Sequence, residues 1–284
     1  MRADGKRVKS PSMIENAIPY IMPKRFDAQN FITEYADMEI LKTYIQEKRR
    51  DGVRLNYMTL ILAAYFKAYQ KHPKVNRFIM NKRIYERNHF CVSFVILKKR
   101  ADGTPDETTV KIFLEDGDDV FSVQRKIDEV VQKNQVQVYN NNTDKFANIA
   151  FSIPGLATFV FGVARLMDHF GLLPRKIIDL SPFHTSLFIT NLASINTESI
   201  FHHCYHFGTT GVFVCMGKPQ PNYFSGELKK KIIPLSFVLD ERICTGHDYA
   251  AFCFDFRRYL KHPALLEGDM PDTDGTEENG ENEE

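Results

Sequence analysis

His202, His203 and His206, with Cys204 among them, are side chains that could ligate a metal. Zinc needs three or four converging donors. Adjacent His202 and His203 diverge in an extended chain, and no second ligand pair stands at a telling distance, so no metal is expected. Gly155, Gly162 and Gly208 form no phosphate-cradling loop, and no Ser-His-Asp or Cys-His set has a local signature. The five cysteines, Cys91, Cys204, Cys215, Cys244 and Cys253, include no Cys-x-x-Cys pair. An odd number at wide spacing is no disulfide framework. Residues 1–10 are basic and lack the apolar run of a signal peptide, and a reducing cytoplasmic location is the expectation.

The elements that would position these groups are those of a soluble domain. The chain has 284 residues, 43% hydrophobic and 26% charged, with 37 Lys+Arg against 36 Asp+Glu. So even a balance gives no reason to expect a nucleic-acid partner. The 23 Phe and 12 Tyr, with no Trp, imply an aromatic core. Residues 1–12 read as a flexible N-terminus, 13–266 as one domain, and 267–284 as an acidic tail too poor in apolar residues to order.

Within the domain the pattern is mixed α/β. A strand over 30–36 leads into a helix over 37–50. Asn56 reads as the N-cap of a second helix carrying Met58, Ile61, Leu62, Tyr65 and Tyr69, stopped at His72-Pro73. Ile84 and Tyr85 precede a strand over 90–97 whose continuous apolar character implies burial on both faces. A strand over 111–114, a helix over 120–132, and strands over 186–191, 211–216 and 232–239 follow. Pro234 falls near the start of the last, where a missing N–H is tolerated. Tyr249, Phe252, Cys253, Phe256 and Leu260 make the stripe of a final helix closed by Pro263. Residues 146–173 are the most apolar stretch. Residues 149–167 approach the roughly 17–25 residues of a membrane span, but Pro154 interrupts them and Arg165, Asp168 and His169 close them. Core or oligomer packing is favoured there over contact with a membrane surface.

His72-Pro73-Lys74-Val75-Asn76, then Thr190-Asn191-Leu192 with Ser199 eight residues beyond Asn191, then Pro234-Leu235-Ser236-Phe237 followed by Asp240-Glu241-Arg242-Ile243-Cys244-Thr245-Gly246, occur in that order. In this order and spacing the chain resembles the catalytic domain of dihydrolipoyl acyltransferases and the related chloramphenicol acetyltransferases. The resemblance runs from about residue 14 to about residue 264, with 146–173 as an insertion. It implies an α/β fold, a chloramphenicol-acetyltransferase-like two-layer sandwich of mixed sheet and helices, with an active channel at a trimer interface. It also implies CoA or acyl-CoA as substrate, and acyl transfer to a thiol or hydroxyl.

In that family a histidine between two subunits acts as general base, as an imidazole with a near-neutral pKa can, and a serine of the neighbouring subunit donates to the oxyanion. Here Asp240, Arg242 and Gly246 match the motif, whereas Glu241 stands at the histidine position and Thr245 at the aspartate position. A carboxylate of ordinary pKa, about 4.3, is a poor base toward a thiol, although burial can raise it. The double loss reads as a site released from the family chemistry, either an altered acyltransferase or an inactive trimer that binds a ligand or organises partners. Ser199 is the candidate oxyanion donor and Asn191 a channel residue. His202, His203 and His206, just past Ser199, are placed by the resemblance near the channel as lining donors. His247, one residue past Gly246, points about 100° away on a helix and is expected to face solvent. No Asp-Lys-Ala lipoylation site precedes the domain, so the expected acyl acceptor is a free small molecule.

Overall fold

The computed structural model describes residues 2–99, 105–136, 152–223, 226 and 229–268. In chain order the elements are β1 (Gly5–Val8), α1 (Met13–Ile21), β2 (Gln29–Asp37), α2 (Met38–Arg50), α3 (Tyr57–Lys71), β3 (Arg77–Met80), β4 (Arg83–Arg87), β5 (Phe90–Lys99) and β6 (Pro105–Leu114). There follow α4 (Val120–Val136), α5 (Leu156–His169), α6 (Arg175–Leu180), β7 (Leu187–Asn191), β8 (Val212–Met216), β9 (Gln220–Pro221), β10 (Lys231–Asp240) and α7 (Gly246–Lys261).

The larger sheet runs β2-β10-β8-β7-β5-β6, with β9 joined to β10. Its ladders are antiparallel except β5–β7 and β7–β8, which are parallel. Alternation along the strands sorts the side chains to two faces. Ile233, Leu235, Phe237 and Leu239 of β10 join Val212, Val214 and Met216 of β8 in the main core, under α3 and α7. Val238, Phe213 and Phe188 point the other way and form a small second core with Cys204. Pro234 lies between the stretches where β10 pairs with β9 and with β8. Its carbonyl accepts from Gly217 N at 3.0 Å, so its missing N–H faces that break in the ladder and costs no bond.

The helices over the main core are specified locally. Asn56 caps α3, its side chain accepting from Thr59 N at 2.9 Å, and Pro73 follows the C-terminus as expected. On α7 the stripe Tyr249, Phe252, Cys253, Phe256 and Leu260 is buried, with Phe252 edge-on to Tyr65 of α3 at 4.8 Å. Burying each such aromatic side chain contributes about 1.5–3 kcal/mol.

Several expectations are corrected. Residues 1–12 are not a flexible arm throughout: β1 pairs with β4 in a second, three-stranded sheet with β3, and Arg2 and Asp4 are buried. Ile84 and Tyr85 do not merely precede a strand but lie within β4. β6 begins at Pro105, well before residue 111. Burial on both faces of β5 holds for residues 90–94 and ends at exposed Leu97. Glu267 is no start of a loose tail, since it pairs with Lys48 at 2.7 Å and accepts from the Tyr44 hydroxyl at 3.0 Å. Residues 269–284 lie outside the described residues.

Among its described residues the apolar segment buries little in this chain: only Asp168 and Leu173 are buried. α5 buries only Asp168, while Phe159, Phe161, Val163 and Leu166 are exposed. What holds the helix is an ion pair at its end. Asp168 Oδ1 lies 2.7 Å from Arg2 Nη2, and Asp168 Oδ2 lies 3.1 Å from His184 Nε2. Residues 146–151 lie outside the described residues. No helix among those described is long and apolar enough to cross a membrane.

Candidate functional site

β10 ends at Asp240, which is fully buried and anchors the turn into α7. Arg242 grips it with both ends of its guanidinium, Nε to Oδ1 at 2.8 Å and Nη2 to Oδ2 at 2.7 Å. Arg25, from the loop after α1, approaches the same carboxylate at 3.4 Å and donates to the carbonyls of Tyr205 and Gly208. The Tyr249 hydroxyl donates to the Asp240 carbonyl at 2.8 Å. Burial lowers the Arg25 pKa, and the Asp240 charge works against that. An arginine guanidinium is not deprotonated in a protein, so Arg25 keeps its charge.

This lattice fixes the backbone on both sides of Glu241, whose own N–H donates to the Ala28 carbonyl at 2.8 Å. The Glu241 side chain is half-buried and has no hydrogen-bond or ion-pair partner among the described residues. Thr245 is the N-cap of α7. Its hydroxyl accepts from Asp248 N at 3.2 Å, and the Asp248 carboxylate accepts from Thr245 N at 3.0 Å, closing a capping box. Lys74, of the His-Pro-Lys-Val-Asn stretch, pairs with Asp248 at 3.0 Å. Gly246 and His247 are exposed in the first turn of α7.

Ser199 is not beside Glu241. Its backbone lies against Gly217, where a Cβ would stand 2.3 Å from Ser199 N, at the end of β8 that faces Pro234. Glu241 follows the other end of β10, beyond the Leu239–Val212 pair. Seven residues of strand separate the two positions, roughly 23 Å at about 3.3 Å per residue. Asn191 sits at the Ser199 end. Its side chain accepts from Ser194 N at 3.2 Å and caps a short 3₁₀ turn, Leu192–Ile195. It also lines a cleft of about 690 Å³ with Tyr57, Met58, Ile96, Ala193 and Met216.

Residues 199–206 form a strap across the second face of the sheet and join the two ends. At one end Ile200 N donates to Cys215 Sγ at 3.4 Å, and further along Cys204 Sγ reaches the Val238 carbonyl at 3.7 Å. His202 stacks flat on Phe213, with ring centroids 4.1 Å apart, and on His203 at 4.7 Å. Burial pushes its pKa down, against the hydrogen bond to the His203 carbonyl. His206 lies at the other end and lines a cavity of about 300 Å³ with Arg25, Arg165 and Arg242. The three histidines are thus spread along the strap, and no three His, Cys, Asp or Glu side chains among the described residues converge on a metal site. Sequence reasoning missed Arg25. Its partners lie some 180 and 215 positions away, and no local pattern announces such a contact.

A mixed sheet with helices over one face is the fold of the dihydrolipoamide acetyltransferase and chloramphenicol acetyltransferase structures to which the chain is similar. The chain superposes on a probable dihydrolipoamide acetyltransferase from Listeria monocytogenes with a TM-score of 0.55 and 12% identity, over 90% of this chain and 95% of that one. It superposes on chloramphenicol acetyltransferase with a TM-score of 0.55 and 10% identity, over 90% and 100%. A truncated catalytic core of the 2-oxoacid dehydrogenase multienzyme complex from Thermoplasma acidophilum gives 0.55 and 11% identity, over 91% and 99%. No sequence-family model matches the chain, and no curated protein is similar to it in sequence.

Proposed function

We propose that the protein is a homotrimeric, cytoplasmic acyltransferase-fold protein that binds acyl-CoA in channels between chains. It transfers the acyl group to a small thiol or hydroxyl, slowly, because Glu241 stands where an imidazole would take the proton. The observation that carries this reading is the separation of Ser199 from Glu241 along one ladder. An oxyanion donor must sit within about 3 Å of the reacting oxygen, so the two serve one reaction only when two chains each supply one of them. The cleft beside Asn191 supports the ligand half of the reading, since clefts of about 300–1,000 Å³ suit small molecules and cofactors. The free, buried state of all five cysteines supports the reducing compartment.

Sedimentation equilibrium should give three chains per particle, and calorimetry with acetyl-CoA should give saturable heat. A monomer at micromolar concentration, or no heat at millimolar acetyl-CoA, would overturn the reading. If acetyl-CoA binds and no acyl group moves with any thiol or hydroxyl tried, the protein is the ligand-binding trimer of the same fold, and Glu241 no longer works as a base.

A further inference from the structure

The cavity beside the β10–α7 turn is walled by cations from four separate segments. Lys24 and Arg25 come from the loop after α1, Lys82 from the β3–β4 turn, Arg165 from α5, and Arg242 from the motif turn itself. Arg25 and Arg242 share one carboxylate, Asp240, so one of the two buried guanidinium charges is uncompensated. Lys24, Lys82 and Arg165 are exposed at the rim, and none has a carboxylate partner among the described residues. Lys24 lies over the Phe26 ring at 5.2 Å and Lys82 over the Tyr20 ring at 5.1 Å, contacts that orient an ammonium without neutralising it. The acid in the wall, Asp168, is already held by Arg2 and His184. Deeper in, Arg25 Nε is buried and faces the Asp240 carboxylate at 3.4 Å without closing a hydrogen bond of good geometry.

His206 reports the same field from the wall. Burial lowers its pKa first, and the charges of Arg25, Arg165, Arg242 and Lys24 lower it further. Like charges gathered around a partly enclosed volume repel, and a concave, low-dielectric wall focuses their potential on whatever enters.

We propose that this cavity binds a small anionic group, a phosphate or a carboxylate, held at the rim by Arg165, Lys82 and Lys24 and met inside by Arg242. Arg165 lies on α5, in the segment expected from the resemblance to be an insertion. The site uses its own cations and does not depend on acyl transfer at Glu241.

The test is calorimetry of inorganic pyrophosphate against the full chain, with ionic strength held constant by chloride. Saturable binding with a Kd of about 1 mM or tighter is expected. The double variant Arg165→Ala, Lys82→Ala alters only exposed side chains and should fold as the wild type does. It should weaken binding at least about tenfold, as loss of charge-assisted bonds requires. Arg175→Ala, in a surface pair with Asp179 outside the cavity, should leave it unchanged. Repeating the titration with CoA present separates two sources of the anion. Displacement by CoA assigns the cavity to a phosphate of CoA, and simultaneous binding assigns it to a second, smaller anion. No binding up to about 10 mM pyrophosphate, or equal affinity in the double variant, would overturn the proposal.

Discussion

Thr245 and Asp248 close a reciprocal capping box at the start of α7, with the Thr245 hydroxyl also 2.8 Å from Asp248 Oδ2. The residue that departs from the family's aspartate therefore still does what a short polar side chain does at that position: it satisfies the first free N–H groups of the helix. The turn that presents Glu241 is intact, with Thr245 as the cap of the helix that follows it. Thr245→Ala should lower stability by about 1 kcal/mol, and Thr245→Asp should be near neutral. Urea unfolding monitored by circular dichroism reads both. Equal stability of Thr245→Ala and wild type would show that the cap contributes nothing.

Asp240 is the one carboxylate shared by two guanidinium groups that are all but buried. Replacing it by Ala leaves Arg25 and Arg242 buried beside each other, and breaking a buried pair in this way costs about 3–5 kcal/mol. The urea midpoint should drop accordingly, with no change in slope. A loss below about 1 kcal/mol would mean that water reaches the guanidinium groups.

The Arg2–Asp168–His184 cluster should make the docking of α5 sensitive to acid. Burial opposes ionisation of Asp168, but the hydrogen bond and charge of His184, followed by those of Arg2, outweigh it and hold the carboxyl below its ordinary 3.8. Asp4 behaves likewise, burial being outweighed by Arg2 and then Arg87. A depressed folded pKa contributes stability above 3.8 that is lost as pH falls through the folded value. Hydrogen exchange should therefore show amides of residues 156–169 losing protection as the pH is lowered below 3.8, while those of α3 keep theirs. Arg2→Ala should produce the same local loss at neutral pH. Unchanged protection of α5 in that variant would contradict the anchoring role.

The thiols should be silent in the folded protein. All five are free and buried. Burial pushes Cys204 and Cys253 up to about 12 and raises Cys244 further still. A thiol of pKa near 12 is ionised in only about one molecule in ten thousand at pH 8, and the thiolate is the reactive form. A colorimetric thiol reagent should label none of the five in native buffer and all five in urea. Rapid native labelling would show that the strap carrying Cys204 opens.

Where one residue's neighbours in sequence decide its structure, the sequence was sufficient. Asn56 caps α3, the 249–260 stripe lies on the core, and the motif turn falls between a buried strand and a helix. The small sheet of β1, β3 and β4 was hidden because β1 and β4 are rich in Lys, Arg and Glu and pair across some 80 residues, although β3 and β4 form a local hairpin. For α5 the sequence left core and oligomer packing open, because an apolar run says that something must cover it without saying what. The turn that carries Glu241 and Thr245 between β10 and α7 was legible from the motif. The shared carboxylate of Arg25 and Arg242, the distance between Ser199 and Glu241, and the placement of the three histidines along one strap were not, because each depends on contacts far apart in the chain.

The most direct test of the account is the rate at which free CoA appears when acetyl-CoA and a small thiol acceptor are mixed with wild type and with Glu241→His. A positioned imidazole general base contributes about 10²–10⁴-fold, and the turn that would carry it is capped and locked as described. Glu241→His should therefore release CoA at least about 10²-fold faster than the slow wild type. A wild type that is already fast, and that Glu241→His slows, would contradict the account and make Glu241 a working base.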